Sequence, residues 1–167
     1  DIIKNKGPRR VSPLFVSKMI PNIAGGHLSM KFGFRGPSQT IVSACASSND
    51  AIGIALRLIR YGDADIILTG GTEASITPLT ISGFANMKAL SQNCTNPTKA
   101  SRPFDADRDG FVLSEGAGIL MLESEEHALK RDAPILAELA GYGSTDDAFH
   151  ITQPAPEGLG PNKAMKI

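Results

Sequence analysis

Apolar and polar residues follow one another along the chain in short blocks, which predict closely spaced helices and strands. The β-prone run QTIVSA over residues 39–44 precedes a stretch from Ser48 to Tyr61 whose apolar residues cover most of a helix circumference. Such a distribution is typical of a buried helix. The run DIILT over 65–69 is continuously apolar and stops at Gly70-Gly71, as expected of a strand covered on both faces. Together these elements predict a βαβ unit with a parallel strand pair.

The rest of the chain is predicted to hold shorter elements between polar loops. Residues 1–38 contain repeated glycines and prolines that exclude long elements, with room for one short helix near 22–31. The other predicted elements are helices over 78–90 and 124–131, strands over 116–122 and 135–143, and a long polar loop over 91–110. The 124–131 helix is polar on most faces, so we expect it at the surface.

Length and composition are those of a chain that can build a hydrophobic core. The 167 residues are 41% hydrophobic, which argues against disorder of the whole chain. The formal net charge is +0, so the overall charge does not predict nucleic acid as a partner. Positive charge is concentrated near the start of the chain, where Asp1 is accompanied by a set of basic residues: Lys4, Lys6, Arg9, Arg10 and Lys18.

Cysteine usage and hydropathy exclude several classes of protein. Cys45 and Cys94 cannot build a disulfide framework, and neither has the spacing of a zinc site, which predicts a reducing compartment. No apolar run reaches the roughly 18–20 residues of a membrane span, and no signal peptide opens the chain. The chain lacks an initiator Met and ends in what resembles the start of a helix. We therefore expect a soluble protein whose two ends have been cut.

Cys45 stands between a predicted strand and a predicted helix, where a nucleophile is often found. A side chain at such a bend projects outward, beside the unpaired N–H groups of the first helical turn. The helix dipole favours the reactive thiolate, and the same N–H groups can stabilise the oxyanion of an attacked thioester. Small neighbours leave room for a substrate: Ser43, Ala44, Ala46, Ser47 and Ser48. Placement alone leaves open that Cys45 is a small buried apolar residue.

The residues around Cys45 resemble the nucleophile segment of the condensing enzymes of fatty-acid and polyketide synthesis. This segment is VSACASS, within the longer run GHLSMKFGFRGPSQTIVSACASS that starts at Gly26. Further blocks similar to type II β-ketoacyl synthases follow in the same order: YGDAD from Tyr61, GGTE from Gly70, ASRPFDADRDGF from Ala100 and GAG from Gly116. The resemblance covers the chain from Gly7 to Gly160, which is far more specific than one motif.

The resemblance implies a thiolase-like fold, in which two related α/β halves form a five-layered αβαβα sandwich in the whole enzyme. Residues 1–167 are interpreted as a single fragment of such a ketosynthase, covering the later first half and the start of the second. The first half is expected to end at about residue 123 and the second to begin at about 124. The family also implies a homodimer, here in the cytoplasm or the plastid stroma.

The implied reaction is condensation of two thioesters. Cys45 would accept an acyl group from acyl-carrier protein, and malonyl-acyl-carrier protein would lose CO2 and attack that thioester to give 3-oxoacyl-acyl-carrier protein. No cofactor or metal is implied, because phosphopantetheine arrives on the carrier. Arg9, Arg10 and Lys88 match basic positions that meet the acidic carrier, and such rim charges mainly speed the encounter. Neither nucleic acid nor a membrane is an expected partner.

Further residues match family positions near the substrate. In the segment DDAFHIT, Asp147, His150 and Thr152 match a loop at the carrier entrance that holds a gating Asp, a His and a pantetheine-contacting Thr. Phe15 and Phe84 match positions that line the acyl pocket, partly across the dimer interface. Core packing would explain the two phenylalanines almost as well.

Two alternatives to a fatty-acid enzyme remain, and one of them follows from family machinery that is missing here. The family needs two catalytic histidines, one in a His-Gly-Thr motif, and a lysine, and none of these motifs occurs in the chain. His27, His127 and His150 are not assigned to those roles. This chain alone is therefore expected not to complete the condensation. The alternatives are a polyketide ketosynthase subunit, which uses the same motifs, and a noncatalytic fragment that binds carrier protein.

A calcium-binding loop is the main alternative that the spacing of acidic residues suggests. The residues Asp105, Asp107, Asp109 and Gly110 imitate the opening of an EF-hand loop. The bidentate Glu should then fall on residue 116, which is Gly, so no metal site is predicted. Within the resemblance, Asp105, Arg108 and Asp109 are interpreted as a structural ion-pair cluster. Cys94 lies in a polar loop without a nearby base and is interpreted as incidental.

Overall fold

The computed structural model describes residues 2–167, which form short helices and a two-stranded sheet. The α-helices of this range are α1 (Ile2–Lys6), α2 (Phe15–Met19), α3 (Ile23–Phe32), α4 (Ser47–Tyr61), α5 (Pro78–Asn86), α6 (Glu125–Lys130) and α7 (Leu159–Ala164). Short 3₁₀ helices cover Pro8–Arg10, Ala44–Ala46, Pro97–Lys99 and Pro156–Gly158. The strands β1 (Ile66–Glu73) and β2 (Gly116–Glu123) pair with each other.

The chain divides into two compact units. One unit is Leu68–Met121, which contains α5 and most of both strands. The other joins the residues up to Ile67 with Leu122–Ile167, and it contains the remaining helices, among them α4 and α6. Cys45 belongs to this second unit.

Three helices form where local signals in the sequence predict them. The helices expected near 22–31, 48–61 and 124–131 are confirmed as α3, α4 and α6. The first two end at Gly33 and Gly62, whose φ angles of 70° and 79° lie in the left-handed region that terminates helices. These signals act within a few residues, so they do not depend on the rest of the fold.

Two helices differ from the expectation. The predicted burial of α4 on most faces was wrong: in the described range only Gly53 and Ala55 are buried, and its larger apolar side chains are half-buried. Burial on every face needs neighbours on every side, and residues near Tyr142 cover only part of α4. The helix predicted over 78–90 ends early, at Asn86, because Lys88 takes a left-handed φ of 59°.

The sheet is antiparallel. The Ser124 N–H donates to the Asp65 carbonyl over 2.9 Å, so the end of β2 lies beside the start of β1. Within the described range, residues 39–44 form no strand, so the predicted βαβ unit with a parallel pair was wrong. The strand predicted over 135–143 was also wrong, since these residues have no regular structure. A strand needs a neighbour to pair its N–H and C=O groups, and neither run has one here.

β1 continues through the two glycines that were expected to end it. Gly70, with φ 146°, faces the backbone of β2, where an added Cβ would overlap the Gly118 carbonyl oxygen. Glycine at this position therefore permits close approach of the strands instead of ending β1. The expected coverage of both faces was wrong as well, because Ile66 is exposed while Thr69 is buried.

Burial of apolar surface is spread over many partly covered residues. In the described range the buried apolar residues are the small Ala55, Ala100 and Ala128, and no large side chain is fully buried. Apolar side chains of β2, such as Ile119 and Met121, remain exposed. None of the helices formed by residues 2–167 combines the length and the apolar character that a membrane crossing requires.

Candidate active site

Cys45 lies in the 3₁₀ turn Ala44–Ala46, directly before α4, and its thiol is free and exposed. The structure thus places it at the start of a helix, as predicted, although no strand precedes it. Ala44 has a φ of 52°, a left-handed conformation that residues with a Cβ rarely adopt. The nucleophile candidate therefore follows a strained residue.

Side chains before and after Cys45 hold this turn. The Ser47 hydroxyl donates to the Ala44 carbonyl over 2.7 Å and accepts from the Ser43 N–H over 2.9 Å. The Ser43 hydroxyl donates to Oδ2 of Asp50, in the first turn of α4. Hydrogen bonds thus bracket the strained residue on both sides.

Asp50 is a half-buried carboxylate whose donors are hydroxyl groups. The Tyr142 hydroxyl donates to Oδ1 over 2.5 Å, and the Ser144 hydroxyl donates to the same oxygen over 3.4 Å. Hydrogen bonds from Ser43 and then Tyr142 lower the pKa of Asp50 below its ordinary 3.8, although partial burial opposes them. The carboxylate is therefore charged at neutral pH and joins residues 142–144 to α4.

Other residues of α4 also contact this segment. The Arg57 guanidinium lies over the Tyr142 ring, 5.2 Å from the ring centroid, and Arg60 donates to the Ala140 carbonyl over 2.7 Å. Gly53 leaves room for the ring, since an added Cβ would overlap Tyr142. Residues 140–144 are consequently packed along one side of α4.

A cavity of about 830 Å³ opens beside the turn. Its walls include Ala46, Asn49 and Asp50 on one side and residues 141–147 on the other. This volume lies in the range of small-molecule sites. The residue that follows Cys45 therefore borders a space large enough for a small organic group.

The three predicted residues of the carrier-entrance loop lie in one loop, of which Asp147 belongs to the cavity wall. Asp147 is half-buried, lines the cavity and accepts from the Ala155 N–H over 2.8 Å. His150 is exposed, and its Nδ1 accepts from the N–H groups of Thr152 and Gln153, each over 3.1 Å. Nδ1 therefore acts as an acceptor, which leaves Nε2 to carry the ring proton. The structure brings His150 and Thr152 together, whereas their predicted role stays a prediction.

The two predicted acyl-pocket residues belong to different units. Phe15 is the first residue of α2 and is exposed. Phe84, on α5, packs edge-on against Phe111 with ring centroids 5.1 Å apart. Packing thus accounts for Phe84 within its own unit, and the role of both residues in an acyl pocket stays a prediction.

The predicted carrier-binding cations are exposed. Arg9 and Arg10 lie in the 3₁₀ helix Pro8–Arg10, and Lys88 lies just beyond α5 in the other unit. Their side chains are accessible to a partner, and carrier binding stays a prediction.

Asp109 is the acid that organises the polar loop. It accepts from the Ser91 hydroxyl over 2.7 Å and pairs with Arg102 over 3.3 Å. Arg108 instead donates to the Asp105 backbone carbonyl over 2.8 Å, so the predicted Asp105, Arg108 and Asp109 ion-pair cluster was wrong about the cation. Nearness in sequence did not decide the pairing, because the loop folds Arg102 back onto Asp109. In residues 2–167 no group of three or more His, Cys, Asp and Glu side chains is placed to hold a metal ion.

Comparison with known proteins adds to this geometry. The family model described as Beta-ketoacyl synthase, N-terminal domain, matches residues 2–128. The chain belongs to the β-ketoacyl synthase family. The mitochondrial 3-oxoacyl-[acyl-carrier-protein] synthase of Arabidopsis thaliana is 52% identical over 165 residues, which are 98% of this chain and 36% of that relative. The 3-oxoacyl-[acyl-carrier-protein] synthase 2 of Rhizobium meliloti is 51% identical over 166 residues, 99% of this chain and 39% of the relative.

A solved ketosynthase complex has the same fold as this β-ketoacyl synthase chain. The complex is a type II polyketide acyl-carrier protein with its ketosynthase bound to the hexaketide, and it matches with a TM-score of 0.92 and 40% identity. The match covers 96% of this chain and 40% of the other. The thiolase-like α/β fold predicted for the chain is therefore confirmed. The chain spans less than half the length of the curated relatives it matches, 36% and 39% for the two above.

Sequence reasoning missed two carboxylate clusters of this ketosynthase chain. One joins Asp50 to Tyr142, 92 positions away, and no local sequence pattern predicts this contact. In the other, Glu123 accepts from Arg131 Nε and Nη2 over 2.7 and 2.6 Å and from His127 Nδ1 over 2.5 Å. These bonds, with Arg131 first, lower the pKa of Glu123 from 4.5 to about 2. Spacing by four residues along 123–131 is a signal that could have found this second cluster.

Proposed function

We propose that this chain is part of a chain-elongating 3-oxoacyl-acyl-carrier-protein synthase of fatty-acid synthesis. The observation that carries the proposal is Cys45, an exposed thiol on a strained turn at the start of α4. Sequence identity of 52% to a 3-oxoacyl-acyl-carrier-protein synthase supports the choice of reaction. The proposal concerns the whole protein, since the chain spans 36% of that relative.

The reaction proceeds in two steps. First, the Cys45 thiolate attacks the carbonyl of the acyl thioester, and the phosphopantetheine sulfur of the carrier leaves as a thiolate. Then malonyl-acyl-carrier protein loses CO2, and the electron pair left on its α-carbon forms the new bond at the acyl-Cys45 carbonyl. The Cys45 thiolate leaves, which releases 3-oxoacyl-acyl-carrier protein. The N–H groups of Ala46 and Ser47 already donate to the Ser43 and Ala44 carbonyls, so the oxyanion formed at Cys45 is proposed to be stabilised by other backbone N–H groups. The protein needs no cofactor of its own for these steps.

The loop that carries Asp147, His150 and Thr152 is proposed to border the entrance for the pantetheine arm. Its support is that Asp147 lines the same cavity as Ala46, the residue next to the nucleophile. Phe15 and Phe84 are proposed to contact the acyl chain. The boundary between the two thiolase-like halves is proposed near residues 123 and 124.

Acyl-carrier protein is the proposed partner, and the exposed Arg9, Arg10 and Lys88 are proposed to meet its acidic surface. Such exposed charges accelerate encounter and are weakened by salt. The related solved ketosynthase was captured with its acyl-carrier protein, which supports this choice of partner. The whole enzyme is proposed to act as a homodimer in the cytoplasm or the plastid stroma.

A polyketide ketosynthase is the second candidate, because the matching complex with a TM-score of 0.92 comes from a polyketide system. Its 40% identity is lower than the 52% shared with the fatty-acid enzyme, so the second candidate has weaker support. Product analysis separates the two: a fatty-acid enzyme extends saturated acyl groups, whereas a polyketide enzyme extends its own unreduced 3-oxo product.

The first test is acylation of the complete native protein by an acyl-carrier thioester, read by peptide mass spectrometry. We expect one acyl group on Cys45, none in the Cys45→Ala variant, and unchanged labelling in the matched Cys94→Ala control. Equal labelling of Cys94, or a native protein that is not labelled at all, would contradict the proposed function. Labelling at Cys45 that is not followed by condensation with malonyl-acyl-carrier protein would restrict the function to acyl transfer, whereas binding of carrier protein without labelling would support the noncatalytic binding role.

A further inference from the structure

The turn that presents Cys45 needs support from outside itself. Ala44 holds a left-handed φ of 52° and is exposed, so its own packing does not impose this conformation. Strained residues persist when neighbouring contacts over-determine them. Ser47 supplies a local contact within the turn, whereas the Ser43 hydroxyl reaches Asp50 on α4.

Asp50 divides its two oxygens between the turn and a distant segment. Oδ2 accepts from Ser43, while Oδ1 accepts from Tyr142 and Ser144, which lie more than 90 positions later in the chain. The Tyr142 ring is in turn held against α4 by Arg57. We call residues 43–46 the nucleophile turn. The Asp50 carboxylate connects this turn to residues 142–144 by hydrogen bonds.

We propose that Asp50 is a positioning residue for Cys45. Its carboxylate transmits the docking of residues 142–144 to the turn, so the thiol is held in the orientation that attack on a thioester requires. The acyl-transfer part of this inference rests on the proposed function, whereas the effect on thiol reactivity does not. The competing explanation is stability alone, since a carboxylate in the first turn of α4 also complements the helix dipole.

The test compares variants of the complete native protein by two readouts. The first is the rate at which iodoacetamide labels Cys45, followed by peptide mass spectrometry. The second is kcat and KM for acyl transfer from acyl-carrier protein. The variants are Asp50→Ala, Asp50→Asn, Ser43→Ala and Tyr142→Phe, with Asp63→Ala, just beyond the other end of α4, as the matched control.

We expect Asp50→Ala to slow labelling of Cys45 and to lower kcat by about tenfold, with KM unchanged, because of its three hydrogen bonds the one from Ser43 is the bond that holds the turn. Asp50→Asn keeps the side-chain length and one acceptor oxygen, so it should recover part of both rates. Ser43→Ala and Tyr142→Phe should each slow labelling and should add nothing once Asp50 is Ala, because they act through the same carboxylate.

Several outcomes decide the inference. Labelling of Asp50→Ala at the rate of the native protein and of Asp63→Ala overturns it, as does an additive effect of Tyr142→Phe in the Asp50→Ala background. If Asp50→Ala does not fold, the Ser43→Ala, Tyr142→Phe double variant decides: equality with the single variants supports the inference, and additivity overturns it. If the native protein is not acylated but Asp50→Ala slows iodoacetamide labelling, the proposed function fails while the inference on Asp50 stands.

Discussion

Asp50 and Glu123 are both half-buried carboxylates that accept three hydrogen bonds, but their donors differ in kind and in distance along the chain. Asp50 accepts from the uncharged hydroxyls of Ser43, Tyr142 and Ser144. Glu123 accepts from the Arg131 guanidinium and the His127 ring, both within eight residues. The first cluster therefore connects distant segments and keeps its negative charge, whereas the second neutralises its charge locally.

The difference teaches what each cluster can contribute. The local ion pair of Glu123 stabilises α6 and the end of β2, but it does not link them to a segment far away in sequence. The Asp50 carboxylate accepts hydrogen bonds from two segments that are far from each other in sequence. A change in one of these segments is therefore expected to affect the other. We therefore expect perturbation of the Asp50 cluster to change thiol reactivity, and perturbation of the Glu123 cluster to change stability alone.

The largest expected effect in stability comes from Gly53→Ala, which pushes Tyr142 away from α4. Alanine would favour the helix by roughly 0.5–1 kcal/mol, but its Cβ overlaps the Tyr142 ring, and overpacking typically costs about 1–3 kcal/mol. We expect a lower free energy of unfolding in urea and slower iodoacetamide labelling of Cys45.

The matched control is Gly83→Ala in α5, where an added Cβ meets nothing within 4 Å. Here helix propensity acts alone, so stability should rise by up to about 1 kcal/mol while Cys45 labelling stays unchanged. A Gly53→Ala variant that is stabilised like the control would contradict the contact between Tyr142 and α4.

Glu123→Gln is expected to have the next largest effect, and one that depends on pH. The pKa of Glu123 falls from 4.5 to about 2 on folding, so its contribution to stability is present above pH 4.5 and is lost as pH falls toward about 2. The variant should melt at a lower temperature at neutral pH and show a shallower loss of thermal stability below pH 4.5.

Thermal melting from about pH 6 to about pH 2 checks this result. Labelling of Cys45 at neutral pH should match that of the native protein. Slower labelling would break the contrast between the two clusters, because it would show that the Glu123 cluster also acts on the nucleophile turn.

The smallest effect is expected from Lys130→Ala. Lys130 pairs with Glu126 over 2.7 Å, but both side chains are largely exposed, so water and salt screen the pair. The melting temperature of Lys130→Ala should stay close to that of the native protein. Arg131→Ala should lower the melting temperature, because it leaves the less exposed Glu123 carboxylate without its guanidinium partner. Equal melting temperatures for Lys130→Ala and Arg131→Ala would show that the lower exposure of Glu123 does not make its ion pair contribute more to stability.

Interactions between residues that are close in sequence were predictable. The starts and ends of α3 and α4 follow from apolar spacing and from Gly33 and Gly62, because helix hydrogen bonds and caps span only a few residues. The placement of Cys45 before α4 followed from the same signals. Its ketosynthase motif also led to the family and the thiolase-like fold, both of which the comparisons confirm.

Strand pairing was not predictable in the same way. Residues 39–44 and 135–143 have strand-like sequences without strand partners, and β1 runs through Gly70 because β2 lies close to it. Propensity describes what one segment tolerates, while a sheet depends on which other segment is adjacent. The pairing of Asp109 with Arg102 instead of Arg108 has the same cause.

The sequence by itself determined the helices near Cys45, the identity of the nucleophile candidate and the family. It could do so because each depends on residues that are neighbours along the chain or on a motif read in order. Only the tertiary structure decided the antiparallel sheet, the cavity beside Ala46 and the contact of Asp50 with Tyr142. Hydrogen bonds and packing between segments far apart in sequence depend on how the chain folds back on itself, and no local pattern specifies them.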